Sequence, residues 1–198
     1  MGKTITKEDI ATYPAEVFNG RIVEVVTIDK CEEVVRYLLG FKILGFDTET
    51  RPTFKRGNTH GVSLIQLTTD NTCFLFRTNI IGFPPALIGL LSNPDVLKIG
   101  LSLQDDFHSM SRRMKFTPKG FIDLQKIVKN YDIEDISLQK IYALLFQKKI
   151  SKGQRLTNWD ADTLTHSQKQ YAALDAWACL KIYEELHQQK TRLAPQNG

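Results

Sequence analysis

Asp47 and Glu49 stand one residue apart in ILGFDTET, where an apolar run over residues 43–50 ends in two acids. Side chains alternate along a strand, so these carboxylates share one face while Phe46, Thr48 and Thr50 take the other. Like charges on one face repel, and beside a core they are poorly solvated. Either a cation sits between them or one of them holds a proton.

Two further acids fall at positions where an apolar residue would stabilise more. In SLQDDFHSMSRRM, helical spacing puts Leu103, Phe107, Met110 and Met114 on one buried stripe. Asp106 lies within that stripe, and Asp105 turns toward water. In HSQKQYAALDAWACLKIYEEL, Tyr171, Leu174, Asp175, Ala178 and Ile182 form a second stripe, with Tyr171 one turn before Asp175. A lone inward Asp is usually a cap or an arginine's partner, and a Tyr at helical spacing is usually core. Coincidence weighs against that here: one strand and two helices supply four inward acids, with no inward Arg or Lys to pair them. An all-oxygen set suits hard cations such as Mg²⁺ or Mn²⁺. Nucleases and polymerases hold two such ions about 3.5–4 Å apart.

The elements that must position these acids follow from pattern. RIVEVVTI reads as a strand, and DKCEEVVRYLLG as a helix capped by Asp29 and stopped by Gly40. KILGFDTE, GVSLIQLTT and TCFLFR are strand-like, the last two joined by a turn at Asp70-Asn71. PPALIGLLS starts a short helix on proline, and VLKIGLS is a fifth strand. From residue 102 onward the pattern is nearly all helical. Strands first, then helices interleaved and dominant, imply an α/β sandwich with a mixed sheet.

Composition narrows the function classes. The 198 residues are 42% hydrophobic and 24% charged, ordinary for a soluble globular chain with a sizeable core. A net charge of +4 permits a nucleic-acid partner without arguing for one. Cys31, Cys73 and Cys179 are far apart, which disfavours a disulfide framework or a thiolate zinc site. MGKTITKEDI has no signal core, and IIGFPPALIGLL falls short of the roughly 20 residues of a membrane span. A cytoplasmic location and no membrane partner are expected. Gly2 and Thr6 fit a permissive myristoylation pattern that carries little weight.

With these residues in view, the chain resembles the 3′→5′ exonucleases that carry four acidic ligands and a tyrosine, the DEDDy group of ribonuclease D and the Werner-syndrome exonuclease domain. FDTET matches the first motif, KIGLSLQDDF the second with Asp106 as its aspartate, and YAALDA the third with Tyr171 and Asp175. GVSLIQLTT, FIDLQ, SLQKIYALLF and KGQRLTNW are also similar to family segments, so the likeness runs over roughly residues 21 to 188. Gln170 stands where the histidine group has its H-x-x-x-x-D histidine, which favours the tyrosine group. The resemblance implies a ribonuclease H-like fold with a five-stranded mixed sheet flanked by helices. Residues 1–20 would be a lead-in, 21–190 the exonuclease domain and 191–198 a flexible C-terminal tail.

It further implies two divalent ions, Mg²⁺ or Mn²⁺, on Asp47, Glu49, Asp106 and Asp175, and nucleic acid with a free 3′ end as partner. Nucleoside 5′-monophosphates would be released. A free phenol titrates near about pH 10, too high for a good base at neutrality, so Tyr171 is assigned to orienting the attacking water. Lys152 and Arg155 in SKGQRLTNW are expected at phosphates, Trp159 against the site wall, and Thr50, Arg51, Lys55 and Arg56 near the incoming strand. The competing account of these basic residues is a solvated loop. Two other functions fit the fold: a non-catalytic nucleic-acid-binding module, which predicts a broken acidic set, and a phosphatase of small nucleotides.

Overall fold

A computed structural model describes residues 2–53 and 60–193, apart from the side chains of residues 192 and 193. Among these residues the order is α1 (Lys7–Thr12), β1 (Arg21–Val25), α2 (Ile28–Leu38), β2 (Ile43–Thr50), β3 (Val62–Thr68), β4 (Thr72–Phe76), α3 (Thr78–Ile81), α4 (Pro85–Leu91), β5 (Leu97–Gly100), α5 (Leu103–Ser111), β6 (Phe121–Asp123), α6 (Leu124–Ile127), a 3₁₀ turn (Val128–Tyr131), α7 (Leu138–Phe146) and α8 (His166–Leu193). Lys55 and Arg56 lie outside the described residues, as do residues 194–198 of the expected tail; residues 191–193 continue α8.

The sheet has six strands among the described residues, in the order β1-β4-β3-β2-β5-β6, rather than the five expected. The additional strand, β6, pairs parallel with β5 through Lys98↔Phe121, Ile99↔Ile122 and Gly100↔Asp123. Three residues carry no readable alternation, which is why FID was not recognised as a strand. β3 runs antiparallel to β2 and β4, and every other pairing is parallel. The β3–β4 hairpin turns at Asp70-Asn71, as the sequence suggested. The cap of α2 differs: Thr27 accepts from the Lys30 amide and the helix begins at Ile28, one residue before Asp29. Both residue types cap well, so spacing alone could not choose between them.

Two apolar layers sandwich the sheet, and β4 shows the division. Cys73 and Leu75 face the layer of α6, α7 and α8. Phe74 and Phe76 face the layer of α2, α4 and α5. Covered on both sides, β3 is buried at every position. The lead-in is tied down: Lys3 bridges Ile133, Ala15 bridges Lys149, and the Tyr142 hydroxyl donates to Glu16 Oε2 at 2.8 Å.

Two local devices place the functional segments. Gly45 lets α8 approach β2 closely, because a methyl group there would overlap the Ala176 carbonyl oxygen and the Thr68 side chain. That contact sets Asp175 beside Asp47. At the start of α5, Ser102 takes a left-handed conformation with φ 61°. The Asp123 carboxylate on β6 accepts from the Ser102 and Leu103 amides at 3.0 and 3.2 Å. The unforeseen strand therefore anchors the helix that carries Asp106.

Candidate active site

β2 and α8 meet at a cluster of carboxylates. Asp47, Glu49 and Asp175 each bring a ligand oxygen within 4.8 Å of the others. Glu49 and Asp175 are buried, at 8% and 5% exposure, and Asp47 is half-buried. The expected strand alternation and helix stripe both hold at these positions. Asp106 stands apart from the triplet. It comes from α5, on the opposite layer, and accepts a hydrogen bond from the Thr48 hydroxyl. Its charge still reaches the cluster, since it raises the pKa of Glu49 and is itself raised by Asp47.

All four acids are pushed above the ordinary carboxylate range, and burial is the largest cause for each. Mutual repulsion adds to it: Asp175 raises Asp47, and Asp47, Asp175 and Asp106 raise Glu49. The opposing influences are modest. Arg155 eases the charge on Glu49, the Thr48 hydroxyl eases Asp106, and Tyr171 and Lys152 ease Asp175. No ion pair joins a cationic side chain to these four acids among the described residues. Asp175 Oδ1 is buried without a hydrogen-bond partner. A set of unneutralised carboxylate oxygens with one buried lone-pair site open fits a hard divalent cation.

Tyr171 sits one turn before Asp175 on α8. Burial, and then the negative charges of Asp175 and Glu49, push its phenol well above the ordinary value. A cavity of about 360 Å³ opens over the site, lined by Asp47, Tyr171, Asp175, Lys152 and Arg155 among others. Lys152 and Arg155 are exposed, so their charges are available at the mouth. Thr50 follows a register shift between Glu49 and Thr50 and does not line this cavity; Arg51 is exposed beyond it.

Trp159, expected against the site wall among the substrate-binding residues, is enclosed in the fold. Its exposure is 0%, which leaves no ring face for a base. It packs behind Tyr171 instead, ring centroids 6.1 Å apart, as part of the site wall. Sequence reasoning also missed Thr48, Asp123 and Gln66. For Gln66 there was a signal: a carboxamide set among Leu64, Ile65 and Leu67.

The 3'-5' exonuclease family matches residues 22–190. The bifunctional 3'-5' exonuclease/ATP-dependent helicase WRN of Mus musculus is 31% identical over 179 residues, covering 85% of this chain and 13% of its own length. The EXO domain of Aedes aegypti Nibbler superposes with a TM-score of 0.80 at 25% identity, covering 91% of this chain and 94% of that one. A Trypanosoma brucei RNase D in complex with RNA U12 superposes at 0.76 with 20% identity, covering 91% of this chain and 65% of that one. The chain spans between 13% and 66% of the length of the curated relatives it matches. The layered six-stranded sheet is of the ribonuclease H-like type shared by these neighbours.

Proposed function

Because the chain belongs to the 3'-5' exonuclease family, we propose that it removes nucleoside 5′-monophosphates stepwise from the 3′ end of a nucleic-acid strand. The observation that carries this reading is the convergence of Asp47, Glu49 and Asp175 within 4.8 Å, beneath a cavity edged by Tyr171, Lys152 and Arg155. Residues 21–190 would form the catalytic domain. The three buried free cysteines support a reducing, cytoplasmic setting.

Asp47, Glu49 and Asp175, joined by Asp106, would hold two Mg²⁺ or Mn²⁺ ions. When bound, such ions lower the pKa of water and stabilise a leaving oxygen. The rest falls to the chain's own groups. Tyr171 stays protonated, because burial and then the charges of Asp175, Glu49 and Asp47 oppose its ionisation. It therefore orients the attacking water through its hydroxyl and takes no proton from it. Lys152 and Arg155 would hold backbone phosphates at the mouth, contacts that carry no base identity. Trp159 braces the tyrosine ring from behind.

Strands of matched DNA and RNA labelled at the 5′ end, incubated with Mg²⁺, Mn²⁺ or EDTA, test the proposal. A ladder of shortening products that vanishes in EDTA is expected. Cleavage of a closed circle, or undiminished activity in EDTA, refutes it.

A further inference from the structure

Gln66 lies at the centre of β3 with 0% exposure. Neither its Nε2 nor its Oε1 has a hydrogen-bond partner among the described residues. A buried amide left in this state is costly and uncommon in a folded core. Its surroundings show where it can turn. In the antiparallel ladder Gln66 is directly opposite Asp47, so the two side chains leave the sheet on one face about 5 Å apart at Cβ. On its other side the same row continues to Leu75. Along β3 the next residues on this face are Leu64, in the apolar layer under α8, and Thr68, whose hydroxyl already donates to the Thr69 carbonyl at 2.7 Å. Asp47 is thus the polar group that this row of the sheet offers to the carboxamide.

We infer that Gln66 is a positioning residue for the acidic cluster, donating from Nε2 to the Asp47 carboxylate when that carboxylate turns to ligate a divalent cation. The inference rests on the metal-dependent reading above and deepens it. A neutral amide suits the task. It fixes the carboxylate's orientation, favours its ionised form and uses one lone pair, leaving the others for the ion. A lysine at this position would neutralise the site and compete with the cation. An apolar side chain would pack better in the metal-free fold and orient nothing. The orphaned amide is the trace of that compromise.

Gln66→Met, close in volume and apolar, separates the roles. In EDTA its melting temperature should equal or exceed the parent's, because an unpartnered buried amide has gone. Mn²⁺ binding by calorimetry should weaken 10- to 100-fold, the usual loss when a hydrogen bond behind a ligand is removed. Gln66→Asn, which keeps the amide but withdraws it by one methylene, should also lose Mn²⁺ affinity; this variant keeps the test alive if the methionine protein does not fold. Parent-like Mn²⁺ affinity in a folded variant of either kind overturns the assignment, and so does a lower melting temperature in EDTA with affinity unchanged. A parent that binds no Mn²⁺ would instead overturn the metal reading itself, a result that no Gln66 variant can produce.

Discussion

Without metal the acidic cluster should make stability fall as pH rises, the reverse of the usual behaviour of paired carboxylates. In an unfolded chain Asp and Glu release their protons near about pH 4. In the folded chain all four acids are shifted upward, and even Asp175, the least affected, reaches about 7. A carboxylate whose folded pKa is raised contributes its full stability below the unfolded value and loses it as pH climbs through the folded one. Each proton held by the folded state and not by the unfolded one changes stability by about 1.4 kcal/mol per pH unit. One such proton between pH 5 and 7 amounts to about 3 kcal/mol, a sizeable part of the roughly 5–15 kcal/mol of a typical domain. Lys98, fully buried with its ammonium on three backbone carbonyls, is lowered to about 8 and so acts above this window. Urea unfolding in EDTA at pH 5, 6 and 7 measures the slope, which counts the retained protons. Glu49→Gln removes one acid, and comparison with the parent cancels every group outside the cluster, so its slope should be shallower. Saturating Mn²⁺ should abolish the fall, since ligating carboxylates are already ionised. A parent whose stability in EDTA is flat or rises from pH 5 to 7 refutes the reasoning.

Three further outcomes follow from the site's geometry. Tyr171→Phe should lower kcat by roughly 10²-fold with Mn²⁺ affinity unchanged, checked by single-turnover kinetics and calorimetry; lost metal binding would make the hydroxyl a ligand. Lys152→Ala and Arg155→Ala, each in an inactive Asp175→Asn background, should weaken strand binding and reduce the log–log salt slope by about 0.7 apiece in anisotropy titrations. Trp159→Ala should destabilise the fold by about 3–5 kcal/mol in urea, the cost of emptying a large buried site, and a loss of strand affinity without a loss of stability would place its ring on the surface after all.

The parts of this site visible in the sequence are those fixed by short-range periodicity. Asp47 and Glu49 share a face because a strand alternates, and Tyr171 and Asp175 share one because a helix repeats every 3.6 residues. Both inferences hold in the structure, and both concern which side of an element a residue occupies. What the partner on that side will be is a tertiary question. Asp106 was rightly placed on the inward stripe of α5, yet α5 packs on the layer opposite α8. Its carboxylate reaches the sheet from the other side and meets Thr48, the residue that alternation turns away from Asp47. The sequence pattern held every element of that contact except the side of the sheet on which α5 packs. β6 shows the same limit, since three residues earn their strand character only from the β5 edge they pair with. That pairing carries Asp123 to the start of α5, so the least legible element settles where the fourth acid stands. Gln66 completes the pattern. β3 is buried on both faces, so its apolar run has no alternation to mark which neighbour the amide meets, and the ladder register alone puts it opposite Asp47. The acids can be chosen from local spacing. Their supporting groups, Thr48, Asp123 and Gln66, belong to the pairing of strands and layers, and so become visible when those pairings are known.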